Sequence, residues 1–335
     1  MQRTRRILKT ALLLLLALSV PIAAQKQAKP EKEKAANLPT VIWRDPGDVA
    51  TLNLTYGAGG KQHAPDPNGR YTFLKEDLKG TSPKFDVEDE QGRHWRVKLG
   101  QEPQAETAAT RLLWVAGYFV DEDYYLAKLK VTGVPKLHRG QSFVSSDGTV
   151  HRARLKLRSK QVKKEGDWDW FDNPFVGTKE LNGLRIMMSL VNNWDLARNN
   201  NSIYEVDGER RYLVSDVGAS FGNTGNSLTR SKSALKGYAN SKFIEKVTSD
   251  YVDFVLHSRP FFLTVFDVPN YRARTRMEQV TKHIPRADAK WLGQRLARLS
   301  EEQIRDCFRT AGYTPEEVEG FSKVVQKRIA ELNAL

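Results

Sequence analysis

Residues 192–222 read NNWDLARNNNSIYEVDGERRYLVSDVGASFG, two short apolar runs set between polar loops. Ile203–Val206 and Tyr212–Val214 are rich in β-branched and aromatic residues, which suit a pleated, half-buried surface. Asp207-Gly208 stands between them. A type I′ hairpin turn needs φ > 0 at both central residues, and this pair supplies it. A two-residue turn brings the open ends of the ribbon together. Asp195 and Asn200 lie just before the first strand and Asp216 just after the second, so two carboxylates and a carboxamide meet there. Such oxygen donors suit Mg²⁺, which takes one or two carboxylates alongside substrate phosphates. Asn201 offers a substitute for Asn200.

Working outward, Thr178–Val191 (TKELNGLRIMMSLV) reads as a helix feeding into Asp195, with Leu181, Leu184, Met187, Met188 and Val191 on its inner stripe. Upstream, Tyr71–Leu74, Phe85–Asp89 and His94–Leu99 are candidate strands. Gly80-Thr81-Ser82-Pro83-Lys84 lies at the bend between the first two, where a glycine lets backbone and hydroxyls approach a phosphate. Lys98 lies on the strand face opposite Val97 and Leu99. A helix follows from Gln101-Glu102-Pro103, carrying Glu106 one turn in, an apolar face of Ala108, Ala109, Leu112, Leu113 and Ala116, and Gly117 as its stop. Tyr124–Leu126 and Leu129–Val131 read as a strand pair ending in a hinge. Leu52–Tyr56 reads as a strand, and the Gly57–Lys61 run after it as a loop without Walker spacing.

Asp-x-x-x-x-Asn, a hairpin and Asp-x-Gly together resemble the catalytic and metal-binding segments of the protein kinase-like superfamily. Asn193-Trp194 stands where protein kinases carry His-Arg. That departure is similar to the atypical branches, the HipA-type and phosphoinositide kinases, and Gly80–Lys84 resembles the phosphate loop of the HipA type. The resemblance spans about residues 70–260. It implies an α+β, bilobal fold with a small β-rich N-lobe (38–125) and a larger, mainly helical C-lobe (126–335). It implies ATP and Mg²⁺ as ligands. Asp195 would be catalytic, and Asn200 and Asp216 would hold the metal. Gly80, Thr81, Ser82 and Lys84 would cover the nucleotide phosphates. Lys98 would pair with them, oriented by Glu106 or, given the short spacing, by Glu102. The adenine ring would pack at the hinge. The acceptor would be a hydroxyl-bearing or acidic group.

Composition narrows the remaining classes. The chain has 335 residues and a net charge of +13. Residues 1–24 carry a basic start (Arg3, Arg5, Arg6, Lys9), an apolar run (Ala11–Val20) and a small-residue cleavage site, the pattern of a secretory signal. Without those four cations the charge is +9, which favours anionic partners. Export to the periplasm or the extracellular space follows; an uncleaved signal would leave membrane contact instead. Residues 25–37, rich in Lys, Glu and Ala, form a tether. The sole cysteine, Cys307, has no internal disulfide partner and reads as a buried small hydrophobe.

Arg152, Arg154, Lys156, Arg158 and Lys160 alternate with Ala153, Leu155, Leu157 and Ser159, which places five cations on one strand face of an insertion at about 142–164. They form either a solvated edge strand or an anionic-ligand surface. Their aliphatic neighbours do not favour nucleic acid, which calls for stacking aromatics. The second function in view is therefore a non-catalytic kinase-like scaffold at the cell envelope, binding an anionic ligand through this strand and the Lys84/Lys98 cleft. Trp168, Trp170 and Phe171 alternate with Asp167, Asp169 and Asp172; such a loop either binds a metal or a substrate or, more commonly, is pinned to the core by its aromatics. Arg230, Lys232 and Lys236 lie on a polar loop after Asp216 that could receive an acidic acceptor. Lys242–His257 reads as an amphipathic helix broken at Arg259-Pro260. Capping boxes at Ser300–Gln303 and Thr314–Glu317 start the last helices.

Overall fold

The structure, a computed structural model, describes residues 38–159, 161–224, 230–257 and 268–335. The signal and tether, Lys160, residues 225–229 of the polar loop and Arg259-Pro260 lie outside the described residues. Among the described residues no helix is long and apolar enough to cross a membrane.

Strands β1 (Thr40–Val41), β2 (Arg70–Glu76), β3 (Lys84–Asp89), β4 (His94–Lys98), β5 (Asp123–Thr132) and β6 (Thr149–Leu157) lie in the first half of the chain, with a one-turn helix α1 (Gly60–His63) and helix α2 (Glu102–Val115). β2 to β6 close into a barrel in the order β2-β3-β4-β6-β5. Alternation along each strand fills it: Phe85 and Val87, Trp95 and Val97, and Ala153 and Leu155 all point inward and are buried. α2 begins with proline in its first turn and ends before Gly117, whose φ of +97° is the left-handed conformation a helix stop requires.

The second half holds β7 (Lys163–Gly166), α3 (Lys179–Leu190), β8 (Asn201–Val206), β9 (Glu209–Val214), α4 (Leu235–Asn240), β10 (Ile244–Val247), β11 (Tyr251–Phe254), α5 (Val268–Gln279), β12 (Ile284–Pro285), α6 (Arg286–Leu296), α7 (Glu301–Arg309) and α8 (Pro315–Asn333). Its helices share a separate apolar core. The fold is α+β and bilobal, with two hydrophobic centres. α3 is capped by Thr178, and both capping boxes form, at Ser300 with Gln303 and at Thr314 with Glu317.

Several expectations are corrected. The small lobe does not end at residue 125: β6 pairs with β4 and β5 inside the barrel, so 149–157 is barrel wall and not an insertion. Tyr124–Leu126 and Leu129–Val131 are one strand, because Ala127-Lys128 has no turn chemistry. The barrel therefore leads on to the second half of the chain after β6, which moves the expected hinge. The cationic face of β6 is neither a solvated edge nor a ligand surface, since Arg154 is buried and Lys156 pairs with Asp121 at 2.5 Å. Only Arg152 and Arg158 of the described cations there are exposed.

α2 is buried on nearly every side, and its alanines and leucines join the larger core with Ile42, Val49 and Leu54. Leu52–Tyr56 is not a strand. Asn53 accepts from the Thr55 amide through its side chain (3.0 Å) and from the Gly57 amide through its carbonyl (3.0 Å), which curls the chain. Lys242–His257 is a hairpin, not a helix. Thr248 Oγ1 accepts from the Asp250 and Tyr251 amides and turns β10 into β11.

Candidate active site

The hairpin forms as its turn chemistry requires. Val206 pairs with Glu209, leaving Asp207-Gly208 as the two-residue turn, with φ of +53° and +73°. At the open end, the Asn200 carbonyl accepts from the amides of Ser215 (2.8 Å) and Asp216 (3.2 Å). Asn200 Nδ2 donates to the Asp195 carbonyl at 2.8 Å. Asp195, Asn200 and Asp216 are thus chained together by hydrogen bonds. Asn201 is fully buried and donates to the Trp168 carbonyl, while its Oδ1 has no protein partner. Trp168 and Trp170 are buried and hold this loop, whereas Phe171 is exposed.

Lys98 does face away from Val97 and Leu99, but onto α2 and not into solvent; it is 4% exposed. Its Nζ lies 2.6 Å from Glu102 Oε2, 2.9 Å from Glu106 Oε2 and 3.2 Å from Asp216 Oδ1. Both expected helix partners are therefore engaged: α2 presents Glu102 and Glu106 one turn apart on the same face. Burial works against the Lys98 charge, but the three carboxylates outweigh it and hold the ammonium above its ordinary range. For Glu102 burial alone would raise the pKa; Lys98 and Lys232 overcome that and bring it to about 2. Oxygens of Glu102, Glu106 and Asp216 all lie within 4.8 Å of one another.

Of the residues expected to cover a phosphate, Gly80 takes φ of +69° and Ser82 Oγ donates to Glu102 Oε2 at 2.8 Å, which joins this loop to the Lys98 cluster. Gly80 and Thr81 are exposed. Lys84, the register partner of Lys98 on β3, donates its ammonium to the Lys79 carbonyl.

Four further residues join the site through contacts that sequence reasoning did not assign to them. Arg154 grips Glu106 Oε1 at 2.6 Å. Lys232, from the loop after Asp216, pairs with Glu102. Arg274 of α5 donates to Asp195 Oδ1 at 3.0 Å. Arg328 of α8, 2% exposed, donates to the carbonyls of Ser189 and Leu190 and to Asn192 Oδ1, tying the end of α3 and the start of the loop that carries Asp195 to the last helix. A signal existed for Arg328. It stands in the 3-4 stripe of Val318, Phe321, Val325 and Leu332, where the spacing calls for an apolar residue.

Asn193 and Trp194, in place of His-Arg, have local roles. Asn193 is buried, and its Oδ1 accepts from the Asp195 amide at 3.3 Å. Trp194 donates to the Ser231 carbonyl and lies 3.8 Å beneath the Arg230 guanidinium. A hollow of about 320 Å³ lined by Asp167, Trp168, Asp169, Asp172, Arg198 and Tyr212 includes none of the Lys98 cluster.

The donor set suits a hard divalent cation. Asp216 has a side chain 43% exposed, against 14% and 3% for Glu102 and Glu106, so it is the carboxylate of the three that a ligand can reach. The three grouped donors are all carboxylate oxygens, and a buried carboxamide oxygen at Asn201 has no hydrogen-bond partner in the protein.

No protein-family model and no curated protein matches the chain. Solved structures do. A Helicobacter pylori proinflammatory kinase, CtkA, is similar at 11% identity and a TM-score of 0.46, over 79% of this chain and 96% of its own. The Golgi casein kinase is similar at 10% identity and a TM-score of 0.32, over 77% of this chain and 74% of that one. With Mn/ADP bound it gives 10%, 0.37, 79% and 73%. The likenesses are distant, and the residue roles rest on the geometry above.

Proposed function

We propose that this protein is an atypical kinase-like phosphotransferase that moves the terminal phosphoryl group of ATP to a hydroxyl acceptor. One observation carries the reading: Lys98 of β4 meets Glu106 of α2 and Asp216, 118 residues away in sequence, within ion-pair distance. A lysine so placed supplies a fixed positive charge for nucleotide phosphates. Asp216, with Asn200 or Asn201, would hold Mg²⁺, which when bound offsets phosphate charge. Asp195 orients and deprotonates the acceptor hydroxyl. In such transfers the protein contributes chiefly position and charge.

Arg274 on Asp195 and Arg230 on Trp194 put positive charge on the acceptor side, which favours an acidic acceptor. Asn193-Trp194 before Asp195 supports the HipA-type and phosphoinositide-kinase-like branches. Residues 1–24 support export, and a fusion of residues 1–37 to a reporter active only outside the cytoplasm tests it. The scaffold alternative loses its cationic strand, because Arg154 and Lys156 are already taken by Glu106 and Asp121.

Thermal unfolding of the full chain, with and without Mg²⁺ and ATP, beside Asp216→Ala, tests the reading. Ligand at about 100 times its dissociation constant adds about 2.7 kcal/mol. The expected result is a Mg²⁺-dependent rise in midpoint that the variant lacks. An equal rise in both proteins removes Asp216 from the site. No rise in either removes the nucleotide and leaves a scaffold.

A further inference from the structure

Lys98 and Arg154 are register partners on the adjacent strands β4 and β6. Both side chains leave the barrel on the side that faces α2. Like charges directly opposite one another on a sheet repel. Here the repulsion is bridged by one residue. Glu106 gives Oε2 to Lys98 Nζ at 2.9 Å and Oε1 to Arg154 Nη2 at 2.6 Å. All three groups are buried, at 4%, 2% and 6% exposure. With both oxygens occupied from two strands, the Glu106 carboxylate cannot rotate.

The arrangement is costly. Arg154 Nε and Nη1 are buried with no hydrogen-bond partner in the protein. A buried guanidinium with two idle donors lowers stability relative to an apolar side chain of the same size. A strand whose only task was to close the barrel would do better with leucine there. Lys98 also has two competing carboxylates, Glu102 at 2.6 Å and Asp216 at 3.2 Å. Without a second grip on Glu106, those two would draw the lysine toward the loop side of the cluster.

We infer that Arg154 is a positioning residue for phosphoryl transfer: it fixes Glu106 so that Lys98 is held at the depth and angle where it meets nucleotide phosphate. The inference rests on the phosphotransferase reading and adds a residue that the kinase resemblance does not supply. Arg154 touches neither nucleotide nor acceptor and acts through Glu106. Lysine at this position keeps the charge but not the planar fork, so it would replace Arg154 only in part.

The test uses the full chain with Arg154→Gln and Arg154→Lys, each held well below its unfolding midpoint. Two quantities are read: affinity for Mg-ADP by calorimetry, and the rate at which Lys98 is acylated by an N-hydroxysuccinimide ester without nucleotide, by peptide mass spectrometry. In Arg154→Gln, affinity should fall about tenfold and Lys98 should label severalfold faster, because it is no longer held against Glu106. Arg154→Lys should recover part of both. A purely structural role would lower the midpoint and leave affinity and labelling of the folded protein unchanged, and that result overturns the inference. If the unsubstituted protein binds no Mg-ADP, the phosphotransferase reading falls by itself, and unchanged Lys98 labelling in Arg154→Gln would separately remove the clamp.

Discussion

Glu102 shows how much of the site is set one residue at a time. It takes Lys98, Lys232 and Ser82, and Gly218 packs so near that a Cβ there would stand 2.8 Å from Glu102 Cβ. Its carboxyl is brought from an ordinary 4.5 to about 2 by the two lysines, against the effect of burial. A depressed pKa adds stability above the unfolded value, and that stability is lost as pH falls through the folded one. The window is therefore about pH 4.5 down to 2, and the amount at neutral pH is about 3 kcal/mol. Urea unfolding of Glu102→Gln beside the unsubstituted chain should show a gap of that order at pH 7 that narrows steadily below pH 4.5. A gap as wide at pH 2.5 as at pH 7 would mean that the ion pairs are not its source. Sequence spacing placed Glu102 and Glu106 as rivals for Lys98. They are partners, because residues four apart on a helix share a face, and a strand lysine aimed between them reaches both.

At the scale of elements, what could be read in advance was whatever local chemistry decides. Asp207-Gly208 fixes its turn through φ, Thr178 caps α3, and Ser300 and Thr314 start their helices; none of these needs a distant contact. The misreadings share the opposite property. Ile244–Val247 and Tyr251–Phe254 are strands because they pair with each other and with β12, while their apolar spacing also fits a helix. β6 looked solvated because alternating arginines and lysines usually face water. Here α2 and Asp121 wait on that side, and neither contact is visible from the strand itself.

Arg328 is the strongest case of an element held by a remote side chain. It satisfies two carbonyls at the end of α3, which a helix leaves without intrahelical partners, and its cation complements the negative end of the helix. Arg328→Leu keeps the apolar stripe of α8 but leaves Asn192 Oδ1 without its donor and takes one donor each from the Ser189 and Leu190 carbonyls, which keep the Asn192 amide and the Tyr238 hydroxyl. The expected cost is about 3 kcal/mol, above the usual range for single substitutions. Urea unfolding measures it. A loss under 1 kcal/mol would mean that the donors these carbonyls keep are enough and that the arginine is dispensable.

Across the whole molecule, α2 is the piece on which both halves close. Lys98 and Arg154 reach it from the barrel. Arg111 donates to the Leu54 carbonyl (3.1 Å) and pairs with Asp123 (3.0 Å), both partners buried. Gln104 donates to the Gly312 carbonyl beyond α7 at 2.8 Å. The segment before the barrel is fastened to the same helices, through Gln303 to the Val49 carbonyl and Thr310 to the Thr55 carbonyl, each at 2.7 Å. A helix held from the barrel, from the leading segment and from the C-terminal helices has no face left along which to swing. The Lys98–Glu106 pair is then built by folding itself and does not await a later rearrangement of α2. Hydrogen exchange gives a direct measure, because amides that open only with global unfolding exchange most slowly. Ala108–Leu113 should rank with Ile186–Leu190 of α3 among the slowest amides, and Mg-ATP should leave them unchanged while it slows residues 80–84. Rapid exchange along α2 without nucleotide, slowing strongly when nucleotide is added, would show a helix that docks on binding. The fixed-helix account would then give way to one in which ligand completes the site.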